Sequence, residues 1–273
     1  SLGWAIPEET GFITYLSAAP QEVCLTWGRV ANLLIRNGND ITIDPQPGVD
    51  ERALRLFALG SGLGVLLHQR RRLLLHASAV VIDGQVVVFV GNSGWGKSTT
   101  AAAFRAGGHL MMADDLVVVE MQDNLPIAQP GFPQLKLWPE ALEALGADPN
   151  ELPQVRVEIE KRAQSTREGF ASTPLPLGAV YILGAGDELG IDPLLPKEAL
   201  MGLIRNLFIV GFGSEFSRAT QDNTSFLQCA ELAKRVPVRL LRRPFDLTAL
   251  SRLVQLVEDD FRQIQPVSNP YGV

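Results

Sequence analysis

The sequence predicts an α/β fold with a mixed sheet, preceded by a small β-rich segment, and three observations predict it. Residues 86–90 are a continuous apolar run, Val-Val-Val-Phe-Val, that leads into a glycine-rich loop and then a small-residue helix. Residues 73–82 and 85–90 are apolar runs joined by Asp83-Gly84, a hairpin turn, so the strand entering the loop has an antiparallel neighbour immediately before it. Residues 12–43 break into short apolar runs separated by turn residues, the pattern of a small antiparallel sheet.

Taken in order, short strands are expected at 12–16, 22–27, 30–35 and 41–43, with Asn37-Gly38-Asn39 as a hairpin turn. Pro45, Pro47 and Gly48 end this segment, and Asp50 caps a helix to about residue 68. Gly60, Gly62 and Gly64 interrupt that helix and predict close packing or a break, since each glycine costs about 1 kcal/mol against alanine in a helix interior. After the hairpin and loop, the helix from Ser98 stops at Gly107-Gly108, and residues 109–120 read as one strand carrying Asp114-Asp115 in mid-course. Residues 126–139 are proline-rich and read as irregular. A short helix at 139–145, strands at 155–161, 177–183 and 238–241, and helices at 196–208, 222–236 and 247–264 complete the expectation. The division is a lead-in over 1–48, a main α/β domain over 49–265 and a flexible tail over 266–273.

With 273 residues and 46% apolar content the chain has ample material for a core. A net charge of −6 argues against a nucleic-acid or anionic-membrane surface. The clusters Arg70-Arg71-Arg72 and Arg239, Arg242 and Arg243 read as solvated faces or strand ends. Cys24 and Cys229 lack metal-ligand spacing and suit a reducing cytoplasm, and no uncharged apolar run reaches the ~18 residues that span a bilayer. The expectation is a cytoplasmic protein.

Gly91, Asn92, Ser93, Gly94, Trp95, Gly96, Lys97 and Ser98 satisfy G-x-x-x-x-G-K-[ST], followed by Thr99. In such a loop backbone N–H groups curl around a polyphosphate, the Lys ammonium reaches the β- and γ-phosphates, and the Ser hydroxyl reaches Mg2+; the helix N-terminus adds partial positive charge. ATP and Mg2+ are therefore the expected ligands. Two adjacent acids in an apolar strand need partners, hydration or a metal, given the cost of burying a bare charge. One of Asp114 and Asp115 suits the metal and the other suits accepting a proton from an acceptor hydroxyl. The alternative is a strand that stops at Ala113 in a solvated Asp-Asp turn. His76 interrupts the neighbouring apolar run and alone reads as a structural histidine; Lys161-Arg162 offer cations for phosphate charge, or a solvated strand end.

Taken together, Leu75-His76-Ala77-Ser78-Ala79-Val80, the loop Gly91 to Ser98, and Gly108-His109-Leu110-Met111-Met112-Ala113-Asp114-Asp115 resemble the catalytic domain of bacterial HPr kinase/phosphorylase, densely over residues 73–120. Pro130-Gly131-Phe132-Pro133 with Leu135-Lys136-Leu137-Trp138, and Lys161-Arg162, resemble a shorter HPr-kinase-like branch that includes tailoring kinases of ribosomal peptides. The resemblance implies a P-loop kinase domain of the HPr kinase/PEP carboxykinase-like type. It implies Asp114 as the base for a serine hydroxyl, Asp115 beside the metal with Ser98, and His76 beside the γ-phosphate. It further implies Lys161 or Arg162 at the transferred phosphoryl group, and a homo-oligomer. The family's E-[IV]-R-G-x-G signature is absent, which counts against phosphorolysis and against HPr itself as acceptor, and the β-rich lead-in and one helix precede the match where the family has a large N-terminal domain. The function expected is an ATP-dependent kinase acting on a serine-like hydroxyl of a peptide or small protein. A small-molecule hydroxyl kinase and a non-catalytic nucleotide-binding regulator are the alternatives.

Overall fold

The computed structural model describes residues 2–4, 13–221 and 223–264; the expected tail over 266–273 lies outside the described residues, as does Phe12. The lead-in is one antiparallel sheet of β1 (Leu2–Trp4), β2 (Tyr15–Ala19), β3 (Glu22–Trp27), β4 (Ala31–Arg36) and β5 (Asp40–Pro45), in sequence order. In β3 and β4, buried Val23, Leu25 and Trp27, and Ala31, Leu33 and Ile35, alternate with more exposed residues, so one face packs and the other is wet. Asn37 and Gly38 both take left-handed φ values, 53° and 64°, in the hairpin loop between β4 and β5.

The expected helix after Asp50 exists with a change of gauge. The Asp50 carboxylate accepts from Arg52 N and starts α1 (Glu51–Phe57); a π-helical turn (Ala58–Gly62) follows, and α2 (Leu63–Gln69) continues the rod. Close packing explains two of its glycines. A Cβ on Gly62 would sit 3.0 Å from Leu33 Cδ1, and one on Gly64 would collide with the Phe208 ring.

The main sheet has nine strands. Its path runs β6 (Leu73–Leu75), β10 (Val117–Gln122), β11 (Leu125–Gln129), β15 (Leu175–Ala185), β8 (Gln85–Val90), β7 (Ala77–Ile82) and β9 (Leu110–Ala113). Next to β15 lies β17 (Val238–Arg243), which also pairs β16 (Gly190–Pro193). β8 and β17 run parallel to β15 and the other pairings are antiparallel, the mixed sheet that the hairpin before the loop predicts. Because β6 continues into β7 and β9 into β10, the two ends of the path lie on continuous chain and the sheet curls.

Both faces of this sheet are covered, which is why β8 is apolar throughout rather than alternating. Val86, Val88 and Val90 join the core shared with the lead-in sheet, α1, α2, α5 (Pro196–Arg205) and α7 (Thr224–Arg235). Val87 and Phe89 join a second core under α3 (Lys97–Ala106) and α8 (Leu250–Ile264). A three-stranded sheet, β12 (Gln134–Leu137), β14 (Ile159–Ser165) and β13 (Gln154–Arg156), with α4 (Pro139–Ala144), abuts the site.

Several expectations are corrected. The strand expected over 155–161 is a hairpin, β13 and β14, and the proline-rich 126–139 segment holds β11 and β12; Pro126 sits in β11 opposite Met121. β16 and α6 (Ser214–Thr220) were not expected. The runs 73–82 and 109–120 are each two strands, interrupted at His76 and at Asp114–Leu116. Of the cluster on β17, Arg242 and Arg243 lie at the strand end as expected; Arg242, half-exposed, donates from Nε to Asp192 at 2.6 Å, whereas Arg243 is buried and Arg239 Nη2 donates to Asp260 at 2.5 Å. Among the described residues no helix is long and apolar enough to cross a membrane.

Candidate active site

The two strand interruptions face one another. β6 pairs with β10 through Val117↔Leu75, whereas β7 pairs with β9 through Ala79↔Ala113, so two neighbouring antiparallel strands leave the ladder at the same level. Side chains are released there from the strict in-and-out alternation of a strand. His76 N finds an acceptor in Asn206 O at 2.8 Å, and the ring's Nδ1 lies 3.0 Å from Asp115 O, which makes Nδ1 the protonated nitrogen. Asp115 takes φ 66°, which turns the two carboxylates away from opposite sheet faces and toward one site.

The Asp-Asp turn is not solvated. Ser78 Oγ donates to Asp114 Oδ1 at 2.6 Å, Lys136 N donates to Asp114 Oδ2 at 3.2 Å, and the Ser98 hydroxyl also bonds this carboxyl. Lys136 Nζ donates to Asp115 Oδ2 at 2.7 Å. Burial and the charge of Asp115 raise Asp114 to about 6 despite these donors. Burial also works against ionised Asp115, but the Lys136 ammonium outweighs it and holds that carboxyl well below the usual range. Two neighbouring acids thus differ in proton affinity because one has a lysine and the other has the first one's charge.

Residues 91–96 link β8 to α3, the helix whose N-terminus opens onto the site. Gly94 and Gly96 adopt left-handed φ values of 79° and 74°, and a Cβ at Gly96 would collide with the Arg243 guanidinium. Arg243 Nη2 donates to Trp95 O at 2.5 Å, pinning the loop from behind. Lys97 is buried, with Nζ donating to Gly91 O at 2.8 Å and Asn92 O at 3.1 Å. Its proton affinity falls through burial and is partly restored by Asp115 and Asp114. His76 is likewise lowered, by burial and then by Lys97, which favours the neutral ring.

These groups meet at a cavity of about 480 Å3. Its charged end is lined by His76, Lys97, Asp115, Lys136 and Lys161 together with Ser93, Gly94, Gly96, Ser98 and Thr99 of the loop. Gly91, Asn92, Trp95 and Asp114 stand behind that lining: the first two hold Lys97, Trp95 packs edge-on against Phe245, and Asp114 buttresses Ser98. Of the two cations on β14, Lys161 lines the cavity, its Nζ 5.4 Å from the Trp138 ring centroid, and Arg162 is not among the lining residues. The strand period of two sends these neighbours to opposite faces.

Two features differ from the sequence-based expectation. Lys136, for which the sequence suggested no role, neutralises Asp115; its one signal was a lone cation between Leu135 and Leu137, both buried, in an alternating strand. The Ser98 hydroxyl contacts Asp114 rather than Asp115. Mg2+ takes oxygen ligands, uses one or two carboxylates and keeps waters and phosphates, a demand that the Ser98 hydroxyl and the Asp115 carboxylate, both lining the cavity, fit.

The fold and site define an α/β protein with a glycine-rich loop, a paired-acid turn and three lysines around one cavity. No family model and no curated protein matches the chain. Solved structures do match, among them that of the HPr(Ser) kinase/phosphatase from Coxiella burnetii, at 15% identity and a TM-score of 0.37, over 70% of this chain and 97% of that one.

Proposed function

We propose that the protein is an ATP-dependent kinase of the HPr-kinase-like type that transfers the γ-phosphate to a serine-like hydroxyl of a peptide or small protein. The observation that carries this reading is the convergence, in one cavity, of the 93–99 loop residues, Lys97 and Lys161, and an acid held charged by Lys136. Loop amides, the α3 N-terminus and Lys97 bind the β- and γ-phosphates. Ser98 and Asp115 would hold Mg2+, which would supply charge neutralisation for the phosphates. Lys161 meets the transferred group, while neutral His76, its one N–H committed to Asp115 O, adds no charge and leaves Nε2 as an acceptor. The acceptor oxygen forms a bond to the γ-phosphorus as the bond to the β-phosphate oxygen breaks. The hydroxyl proton passes to an aspartate.

Asp114 is the proton acceptor in this reading, because its carboxyl is the one raised toward neutrality. A second reading exchanges the two acids, favoured by Asp115 lining the cavity while Asp114 touches Ser98. Incubation with γ-labelled ATP and a serine-peptide library tests the function. Label transfer that disappears in Lys97→Ala supports it, and ATP binding with no transfer to any peptide, protein or metabolite pool overturns it in favour of a nucleotide-binding regulator. Asp114→Asn and Asp115→Asn compared side by side assign the base: the variant that binds Mg-ATP normally and loses transfer by ~100-fold or more identifies it.

A further inference from the structure

The cavity has a second, apolar end, walled in part by the glycine-bearing helical rod. Trp27 from β3, Phe57 from α1 and Phe208 wall it, with Gly60 and Ser61 of the π-helical turn between them. Trp27 and Phe57 meet edge-to-face at 5.5 Å, and the absence of a side chain at Gly64 is what lets the Phe208 ring settle against α2. Each glycine in this rod costs about 1 kcal/mol relative to alanine. Packing against Leu33 and Phe208 accounts for Gly62 and Gly64. It does not account for Gly60, whose φ is not left-handed and whose Cβ would have nothing within 4 Å. What an added side chain there would occupy is the cavity that Gly60 lines. π-helical turns recur at functional sites, and this one widens the rod where it faces the glycine-rich loop.

We propose that this apolar end is the acceptor subsite, that it takes a hydroxyl acceptor carrying an aromatic-sized apolar group next to the hydroxyl, and that Gly60 determines the size accepted. The proposal rests on the kinase reading for the charged end. Both sets of residues line one cavity, so a hydroxyl brought to the Asp114–Asp115 pair carries its neighbouring group toward Trp27, Phe57 and Phe208. The Arg156 guanidinium already stacks over the Trp27 ring at 5.0 Å, and burial of an apolar group against the remaining ring surface of Trp27, Phe57 and Phe208 is favoured. A serine with phenylalanine beside it has this shape.

The test uses the full chain, a non-hydrolysable ATP analogue, and two probes, N-acetyl-seryl-phenylalaninamide and N-acetyl-seryl-alaninamide, followed by calorimetry. The wild type should bind the phenylalanine peptide at least about tenfold more tightly than the alanine peptide. Gly60→Leu should remove that preference while leaving affinity for the ATP analogue unchanged. Gly60→Ala, which improves helix propensity, should reduce the preference partially and guards against a folding defect in the larger variant. Equal binding of both peptides, no binding of either up to millimolar concentration, or a preference that survives in Gly60→Leu overturns the proposal. Preferential binding that Gly60→Leu abolishes, in a protein that transfers no phosphate, upholds the subsite and refutes the kinase reading instead. Transfer to both peptides with equal kcat/KM refutes the subsite and leaves that reading intact.

Discussion

Asp114→Asn should make the protein more stable at pH 8 while abolishing its chemistry. In the fold Asp114 is buried and lies beside the charge of Asp115, and the two together raise it from an ordinary 3.8 to about 6. Between these values the folded state binds more protons than the unfolded one, so this group's contribution to stability falls as pH rises through the window and stays low above it. At about 1.4 kcal/mol for each tenfold change in proton affinity, the cost of keeping Asp114 ionised approaches ~3 kcal/mol above pH 7. Asparagine removes the charge but is a weaker acceptor for Ser78, Ser98 and Lys136 N, an offset of ~1–2 kcal/mol. The net gain expected at pH 8 is therefore about 1–2 kcal/mol. At pH 4.5, where wild-type Asp114 is already largely protonated in the fold, the gain should vanish or reverse. Urea unfolding of both proteins at the two pH values, in buffer containing a chelator, measures this, and labelled-phosphate transfer measures the loss of activity. A variant that is less stable at pH 8 than at pH 4.5, relative to wild type in each case, would refute the like-charge argument. Near-normal transfer would remove Asp114 from the mechanism.

Other expectations concern the groups around it. Lys136→Met unpairs Asp115, whose depressed proton affinity contributes stability above its ordinary 3.8 that is lost as pH falls below it; the variant should lose about 1–3 kcal/mol at pH 7, and adding Asp115→Asn should restore most of it in a double-mutant cycle. Lys161→Ala should lower transfer by about tenfold or more with ATP affinity less affected, whereas Arg162→Ala, outside the cavity lining, should stay within about twofold; the opposite ranking would reverse the assignment. Gly96→Ala forces a side chain into a left-handed conformation and onto Arg243, and should cost about 1–3 kcal/mol in thermal unfolding together with most ATP affinity.

What the sequence made legible was the part dictated by short-range chemistry. Asp83-Gly84 and Asn37-Gly38 place both hairpins because their left-handed preferences are local, and the loop from Gly91 to Ser98 carries its own conformational demands. The pairing of His76 with Asp115 was legible only as two polar interruptions of apolar runs. That both runs break at one level is a property of sheet register, which apolar continuity hides. Lys136 was harder still, since its partner lies 21 residues earlier and the intervening proline-rich segment suggests no strands. Between Lys161 and Arg162 the choice rests on which strand face meets the cavity, and a hairpin at 154–165 was not separable from a single run by composition.

The curled sheet also separates two kinds of information along the chain. His76, Ser78, the glycine-rich loop, Asp114 and Asp115 all fall within 73–122, a stretch whose strands β6 to β10 largely pair among themselves. The walls of the apolar end come from β3, α1, the π-helical turn and Phe208, segments dispersed over most of the chain. In the proposed reading most of the phosphate-handling groups, Lys136 and Lys161 apart, thus form one contiguous block, while the recognition surface is a mosaic. In that reading, exchanging the exposed residues and turns of the lead-in while keeping the core it shares with β8 would retune what is accepted more than how phosphate is transferred.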